Sequence, residues 1–369
     1  MPTRSRLIRT LRPHLDAMPR LRAILKILDA RVERAQYSVA GRVPTLIRPA
    51  PRQITIAITA DCNLRCIGCR YGRDFMTGSK LDLETVLHVL DDARKAGVNR
   101  ARFFGGEPLL HEDLPAMIRH AKSRGLDAYV TTNATLLERR IDELAEAGLD
   151  WMTMGFYGTG SSFDDYTQTR KHFERLERGL GMLRDRWSHQ IEAQLNFVLH
   201  RRTADLESIE RAWEFAQRFG MVFSVDPVSE TIPFFANPKG VLDFEEHHRN
   251  ALRTVADALL AKKRAHPERM PQSAELLNAL PELLLDHENV QIPCDAYDLI
   301  WVGANGVVQL CDTAFPLGNV HERPLRDILF TAEHKKVCVD AFRLQCPNCH
   351  CKIDSRMRKH GPSLRRFAV

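Results

Sequence analysis

The chain has 369 residues, 44% of them hydrophobic and 27% charged, with a net charge of +6 and nine cysteines. That length fills one domain of β/α-barrel size plus a smaller module. No run of about 18 apolar residues lacks a charge, and Met1 to Pro51 has no short apolar core of a secretory signal, so a cytoplasmic protein is expected.

Residues 1–52 carry twelve Arg or Lys against Asp16, Asp29 and Glu33, a charge of +9, so the remainder is about neutral to slightly acidic. The body of the chain therefore has no nucleic-acid signature, and nucleic acid is not expected as a partner. Between Leu7 and Val32 apolar residues recur at helical spacing, broken by Pro13 and Pro19 and flanked by arginines. One or two basic amphipathic helices are predicted, with two readings: peripheral contact with an anionic membrane or acidic partner, or an extension packed on its own barrel. Pro44, Pro49 and Pro51 mark a linker.

From Gln53 a β-rich run, a turn and ten to sixteen residues of helical period repeat six times, the signature of βα units. The predicted strands are Ile54–Thr59, Arg100–Phe104, Ala128–Thr132, Trp151–Phe156, Glu192–Leu199 and Val222–Pro227. Between them lie predicted helices Leu83–Ala96, Leu114–Arg124, Leu136–Ala147, Phe173–Asp185 and Leu206–Phe219, several closed by Gly97, Gly125, Gly148 or Gly220. Six units make an open barrel. Residues 228–290 read as a helical connection (Phe244–Arg264, Ala274–Leu285), and short strands Leu299–Val302 and Val307–Leu310 follow. A basic tail, expected to be mobile from Arg356 to Arg366, ends the chain.

The cysteines fall in two groups, three at 62, 66 and 69 and six between 294 and 351. In a reduced compartment this favours two metal sites over disulfides. Cys62, Cys66 and Cys69 follow the first strand, where β/α barrels place function. Their C-x3-C-x2-C spacing offers three thiolates on one loop and no fourth nearby, which leaves one iron of a four-iron cluster open. Zinc fits less well, since His111 and His120 lie in another unit.

The stretch Ala60-Asp-Cys-Asn-Leu-Arg-Cys-Ile-Gly-Cys69 resembles the signature of the radical S-adenosylmethionine (SAM) superfamily, and the resemblance spans residues 53–227. Phe104-Gly-Gly-Glu-Pro-Leu109 is similar to the family's GGE motif, which implies that Gly105, Gly106 and Glu107 hold the SAM amino group. Thr131-Thr-Asn-Ala-Thr-Leu-Leu137 resembles the TNG-type segment, with Ala134 where glycine is common, and makes Thr132 and Asn133 candidate SAM contacts. Met154-Gly-Phe-Tyr-Gly158 matches in position a segment that holds a serine in relatives. Asn196 is a candidate ribose contact. Gly68 stands where relatives have an aromatic residue near the adenine, and Tyr71 is the candidate replacement.

Cys294, Gly306, Cys311 and Cys346-Pro-Asn-Cys349-His-Cys351 resemble the C-terminal extension of SPASM or twitch enzymes, which holds auxiliary [4Fe–4S] clusters. Cys294, Cys311, Cys346 and Cys349 are the first-choice ligands of one cluster, Cys351 competes for the last place, and a zinc ribbon is the alternative. Cys338 remains, either as a small buried hydrophobe or as a hydrogen-atom donor. The expected architecture is a basic helical extension (1–52), a partial (β/α)6 radical SAM barrel (53–227), a helical connection (228–290), a small cysteine-rich SPASM/twitch domain (291–352) and the tail (353–369).

The resemblance implies an enzyme that takes an electron from a flavodoxin or ferredoxin, cleaves SAM to a 5′-deoxyadenosyl radical, and oxidises, epimerises or cross-links a small molecule or peptide. An iron–sulfur partner subunit and an RNA-modifying enzyme are the alternatives. Asp164, Asp165, Asp226 and Glu230 are the acids near the barrel mouth, with no base singled out among them.

Overall fold

The computed structural model describes residues 39–360 apart from 72, 229–231, 236–239, 287 and 289. The amphipathic pattern at 7–32, Glu230 and the last nine residues lie outside the described residues. Among the described residues, no helix is long and apolar enough to cross a membrane.

Strict alternation builds the sheet. In β1 (Gln53–Thr59) the side chains of Ile54, Ile56 and Ile58 are fully buried on the helix-covered face, while Gln53, Thr55 and Ala57 take the opposite, concave face. The same period runs through β2 (Arg100–Gly105), β3 (Asp127–Thr131), β4 (Trp151–Phe156), β5 (Glu192–Leu199) and β6 (Val222–Pro227). Ala101, Phe103, Val130, Met152 and Phe197 join the isoleucines in the main core. Their concave neighbours include Arg100, Arg102, Tyr129, Asn196 and Asp226.

Helices α1 (Leu83–Ala96), α2 (Leu114–Ser123), α3 (Leu137–Glu146), α4 (Ser161–Thr167), α5 (His172–Met182) and α6 (Leu206–Arg218) return the chain to the start of each next strand. Asp82 accepts from the Thr85 N–H to start α1, and Gly97, at φ 103°, ends it. The helix expected to run to Asp185 stops at Met182 and becomes one π-helical turn, Leu183–Trp187. Seven-residue α4 was not anticipated; it is too short to show a period.

Among the described residues the sheet is open and has nine strands, ordered β6-β5-β4-β3-β2-β1-β7-β8-β9. β7 (Leu299–Val302) pairs parallel with β1, Thr55 opposite Trp301, before β8 (Val307–Gln309) and β9 (Pro316–Asn319) turn antiparallel. The cysteine-rich region thus begins as the next strand of the barrel sheet. At the other edge the Phe223 N–H donates to Arg269 O, so the helical connection covers β6. That connection holds α7 (Arg249–Ala265), α8 (Ala274–Asn278) and α9 (Leu280–Leu285).

Beyond β9 come α10 (Leu325–Ile328), α11 (Ala332–Phe342) and α12 (Ile353–His360). The last of these corrects the expected tail. Residues 353–360 form a helix, and Arg356, placed at the start of the mobile segment, is 1% exposed. Its guanidinium donates to Cys349 O at 2.8 Å, Ile292 O at 2.6 Å and Asn348 Oδ1 at 3.1 Å. Three acceptors make a buried arginine tenable, and a count of basic residues does not reveal them.

Candidate active site

The first cysteine loop leaves the C-terminal end of β1 and is fastened by its backbone. Ile67 donates to Tyr166 O, Cys69 to Cys66 O and Arg70 to Phe234 O. Tyr166 in turn stacks on Tyr157 at 3.9 Å, so the segment after β4 acts as a buttress for the loop. Cys62, Cys66 and Cys69 are half-buried free thiols. Burial pushes Cys62 up to about 11, and it raises Cys66 and Cys69 with the neighbouring thiols adding to Cys66. Thiols held protonated in this way lose their protons when a cation compensates the charge, as in metal ligation. Three such donors around one loop fit a cluster with an open iron.

The next strand end is pressed against this loop. Gly106 N–H donates to Thr59 O at 2.8 Å and Glu107 N–H to Asp61 O at 2.7 Å. A Cβ on Gly105 would stand 2.0 Å from Thr59 O, and one on Gly106 would stand 2.2 Å from Asp61 O. In this structure the glycines permit contact between two backbone segments.

Glu107 is completely buried. Its Oε1 accepts from Leu109 N–H (2.9 Å) and the Thr132 hydroxyl (2.7 Å), and its Oε2 from Asn133 N–H (2.6 Å). Burial lifts the carboxyl to about 7 against the pull of these three donors. The carboxylate thus ties the segment after β3 to the end of β2. Asn133 extends the tie, with its Nδ2 2.9 Å from Asn63 Oδ1 and 3.8 Å from Cys62 Sγ, while its carbonyl accepts from His172 Nε2 at 2.9 Å. Burial lowers His172 to about 4, so the ring is neutral and donates one N–H. Ala134, where relatives carry glycine, sits in the left-handed region at φ 61°.

Tyr71 lies 3% exposed in an aromatic cluster, its ring 5.1 Å from Phe75, 6.0 Å from Phe104 and 5.0 Å from Phe234. Asn196 is half-buried on the concave face of β5 and accepts from Gln194 at 2.6 Å. Of the acids near the mouth, Asp164 caps α5 by accepting from Phe173 N–H at 2.8 Å, and Asp165 is exposed on α4. Asp226 differs. It opens to solvent within the lumen but is ringed by protein, and loss of bulk water raises its carboxyl to about 6 against the attraction of Arg102.

Cys294, Cys311, Cys346, Cys349 and Cys351 line one cavity together with Thr313 and Lys352. Cys338 is fully buried on α11 in the main core and is not among those lining residues. Burial raises Cys294 to about 12, whereas a hydrogen bond from Cys351 holds Cys349 down at about 7. The gap among the five thiols is about 10 Å³ as the side chains stand, about the space of one water molecule. Among the described residues no three His, Cys, Asp or Glu side chains converge as for a single metal ion. Fully buried Asp295 anchors this region through Ser355 and Lys359, each at 2.8 Å.

Sequence reasoning did not single out Arg102, His172, Arg356 or Asp295. Arg102 carried a usable signal, a charged residue at a concave-face position of a barrel strand. The other three act through partners remote in sequence.

Residues 56–211 match the family described as the Radical SAM superfamily. The chain is 35% identical over 132 residues to a GTP 3′,8-cyclase of Chlorobaculum tepidum, covering 35% of this chain and 40% of that protein. It is 30% identical over 176 residues to an AdoMet-dependent heme synthase of Methanosarcina barkeri, 47% of this chain and 49% of that one. The matches therefore span less than half the length of these curated relatives. Among solved structures, Streptococcus suis SuiB bound to precursor peptide SuiA superposes with a TM-score of 0.63 at 17% identity, covering 85% of this chain and 73% of that one. Native anSMEcpe with bound AdoMet and Cp18Cys peptide gives 0.60 at 15% identity, with 84% and 88% covered. At those identities the likeness is one of fold.

Proposed function

We propose that this chain, whose residues 56–211 form a radical SAM domain, is an enzyme that oxidises, epimerises or cross-links a substrate held in the barrel lumen between its two cysteine sites. When bound at Cys62, Cys66 and Cys69, a [4Fe–4S] cluster with SAM supplies a 5′-deoxyadenosyl radical that removes hydrogen from a C–H bond.

The chain's own residues prepare that chemistry. Glu107, Thr132 and Asn133 fix the ends of β2 and β3 against the cysteine loop, and His172 steadies Asn133 from behind. The walls of the lumen restrict water around the reacting centre. Cys294, Cys311, Cys346 and Cys349, with Cys351 as competitor, are the proposed ligands of one auxiliary cluster, whose donors stand beside the lumen. The observation that carries this reading is the loop of Cys62, Cys66 and Cys69 at the end of β1, held against Gly106 and Glu107, with Cys311 and Cys351 of the second group lining the concave cavity beneath those strand ends.

A small molecule is favoured as substrate, because the cavity described below is walled by strand side chains. The curated relatives named above, a GTP cyclase and a heme synthase, agree in kind, while the fold neighbours bound to peptides support the other choice. Anaerobic incubation of reconstituted protein with SAM and reductant should yield 5′-deoxyadenosine. Two clusters give about eight irons per chain, and Cys62→Ala should leave about four and form none of that product. Absence of 5′-deoxyadenosine from the wild type under strict anaerobiosis would rule the proposal out.

A further inference from the structure

Beneath the strand ends that carry the first site, a cavity of about 490 Å³ opens on the concave face of β1, β2, β3 and β7. Its lining includes Arg52, Arg100, Arg102, Tyr129, Trp301 and Asp312, and it reaches Cys311 and Cys351 of the second site.

Arg100 and Arg102 share one face of β2, two residues apart. Among the described residues neither has a carboxylate at ion-pair distance, although most other strand and helix arginines on the surface do. Each is instead stacked: Arg102 lies 4.9 Å over Phe104 and 5.3 Å over Tyr129, and Arg100 lies 5.4 Å over Trp151. Stacking occupies the faces of a guanidinium and leaves its N–H edge available. Arg102 commits only Nε, which donates to Thr131 Oγ1 at 3.0 Å. Its two terminal nitrogens, with four N–H groups, remain uncommitted to any described acceptor. The lining lysine, Lys352, is engaged by Asp298 and Asp295. Asp312 is thus the one lining carboxylate outside an ion pair, set against Arg100 and Arg102, and both it and Asp226 feel the charge of Arg102. A concave, partly desolvated wall of this kind concentrates positive potential on whatever enters it.

We propose that this cavity is the anion subsite of the substrate, and that Arg100 and Arg102 recognise a carboxylate or phosphate group of a small molecule. The inference rests on the lumen being the substrate site. Arg102 lies three residues before Gly105, and Arg100 five residues before it. At about 3.3 Å per residue the anionic group is held roughly 10–16 Å along the strands from the GGE turn. Arg102, between two rings and fixed at Nε, would set the direction of the anion, and Arg100, at the start of β2 and farther from the GGE turn, would add charge.

The test is calorimetric titration of anaerobically reconstituted full-length protein with inorganic phosphate and, separately, with succinate, in the absence of SAM and reductant. The outcome then does not depend on whether radical chemistry occurs. Saturable binding of either probe, weakened at least tenfold in both Arg102→Gln and Arg100→Gln and by added salt, is expected. The tighter probe identifies the anion as phosphate or carboxylate. Each variant is checked by circular dichroism and iron content. Failure of both probes to bind the wild type, or binding unchanged in both variants, overturns the proposal. Loss of binding only in step with loss of iron overturns it as well, because the arginines would then serve the cysteine site.

Discussion

Replacing Gly106 by alanine would place a Cβ 2.2 Å from Asp61 O and 2.4 Å from Ala60 O. Carbon–oxygen contacts of that kind do not form below 3.0 Å, so the two segments must part by at least about 0.8 Å. Both atoms in the way are backbone, and no side chain can rotate to make room. The bonds that close the gap, Gly106 N–H to Thr59 O and Glu107 N–H to Asp61 O, are 2.8 and 2.7 Å long and are lost or stretched. At about 1 kcal/mol each they account for about 2 kcal/mol. Overpacking adds about 1–3 kcal/mol, so the substitution should cost about 3–5 kcal/mol. For a unit of this size that corresponds to a fall in Tm of roughly 5–8 °C. Because Asp61 precedes Cys62, iron at the first site should fall with it. Gly181→Ala is the control: it lies within α5, no atom comes within 4 Å of its added Cβ, and it should raise stability by about 0.5–1 kcal/mol. Thermal denaturation followed by circular dichroism, with iron and sulfide assays on the same samples, decides the matter. A Gly106→Ala protein with wild-type Tm and wild-type iron would refute the claim that this contact forms the site.

Glu107 and Arg356 lead to two further tests. The Glu107 carboxyl is raised from 4.5 to about 7 by burial, so the folded chain holds that proton more tightly than the unfolded one; its contribution to stability is therefore fully present below about 4.5 and lost as pH rises to about 7, a swing on the order of 3 kcal/mol. Urea titrations across that range should show the slope, and Glu107→Gln should remove it while setting an amide N–H against the Asn133 N–H at a cost of about 1–3 kcal/mol; an unchanged slope in the variant would assign it to another group. Arg356→Met takes the donor from Cys349 O and Ile292 O and should lower iron from about eight to about four per chain with the first cluster intact. Full iron retention would show that the buried guanidinium does not organise the second site.

Part of this protein is legible in its residues. The alternation of Ile54, Ile56 and Ile58, repeated in five more strands, specifies βα units, because side chains on successive strand residues point to opposite faces and only one face meets the helices. The loop of Cys62, Cys66 and Cys69 directly after the first of those strands was likewise readable, since chain order alone puts it at the functional end of a barrel. What tertiary structure decided lies between residues distant in sequence. β7 joins β1 across some 240 residues of chain, so the late cysteines border the lumen. Glu107, Asn133 and His172 come from three different βα units and converge through one buried carboxylate and one carbonyl. Arg356, indistinguishable by composition from the basic residues around it, is buried because three acceptors from elsewhere surround it. Periodicity reports which face of an element is apolar; it carries no information about which polar groups another element brings to meet it, and those meetings build the site.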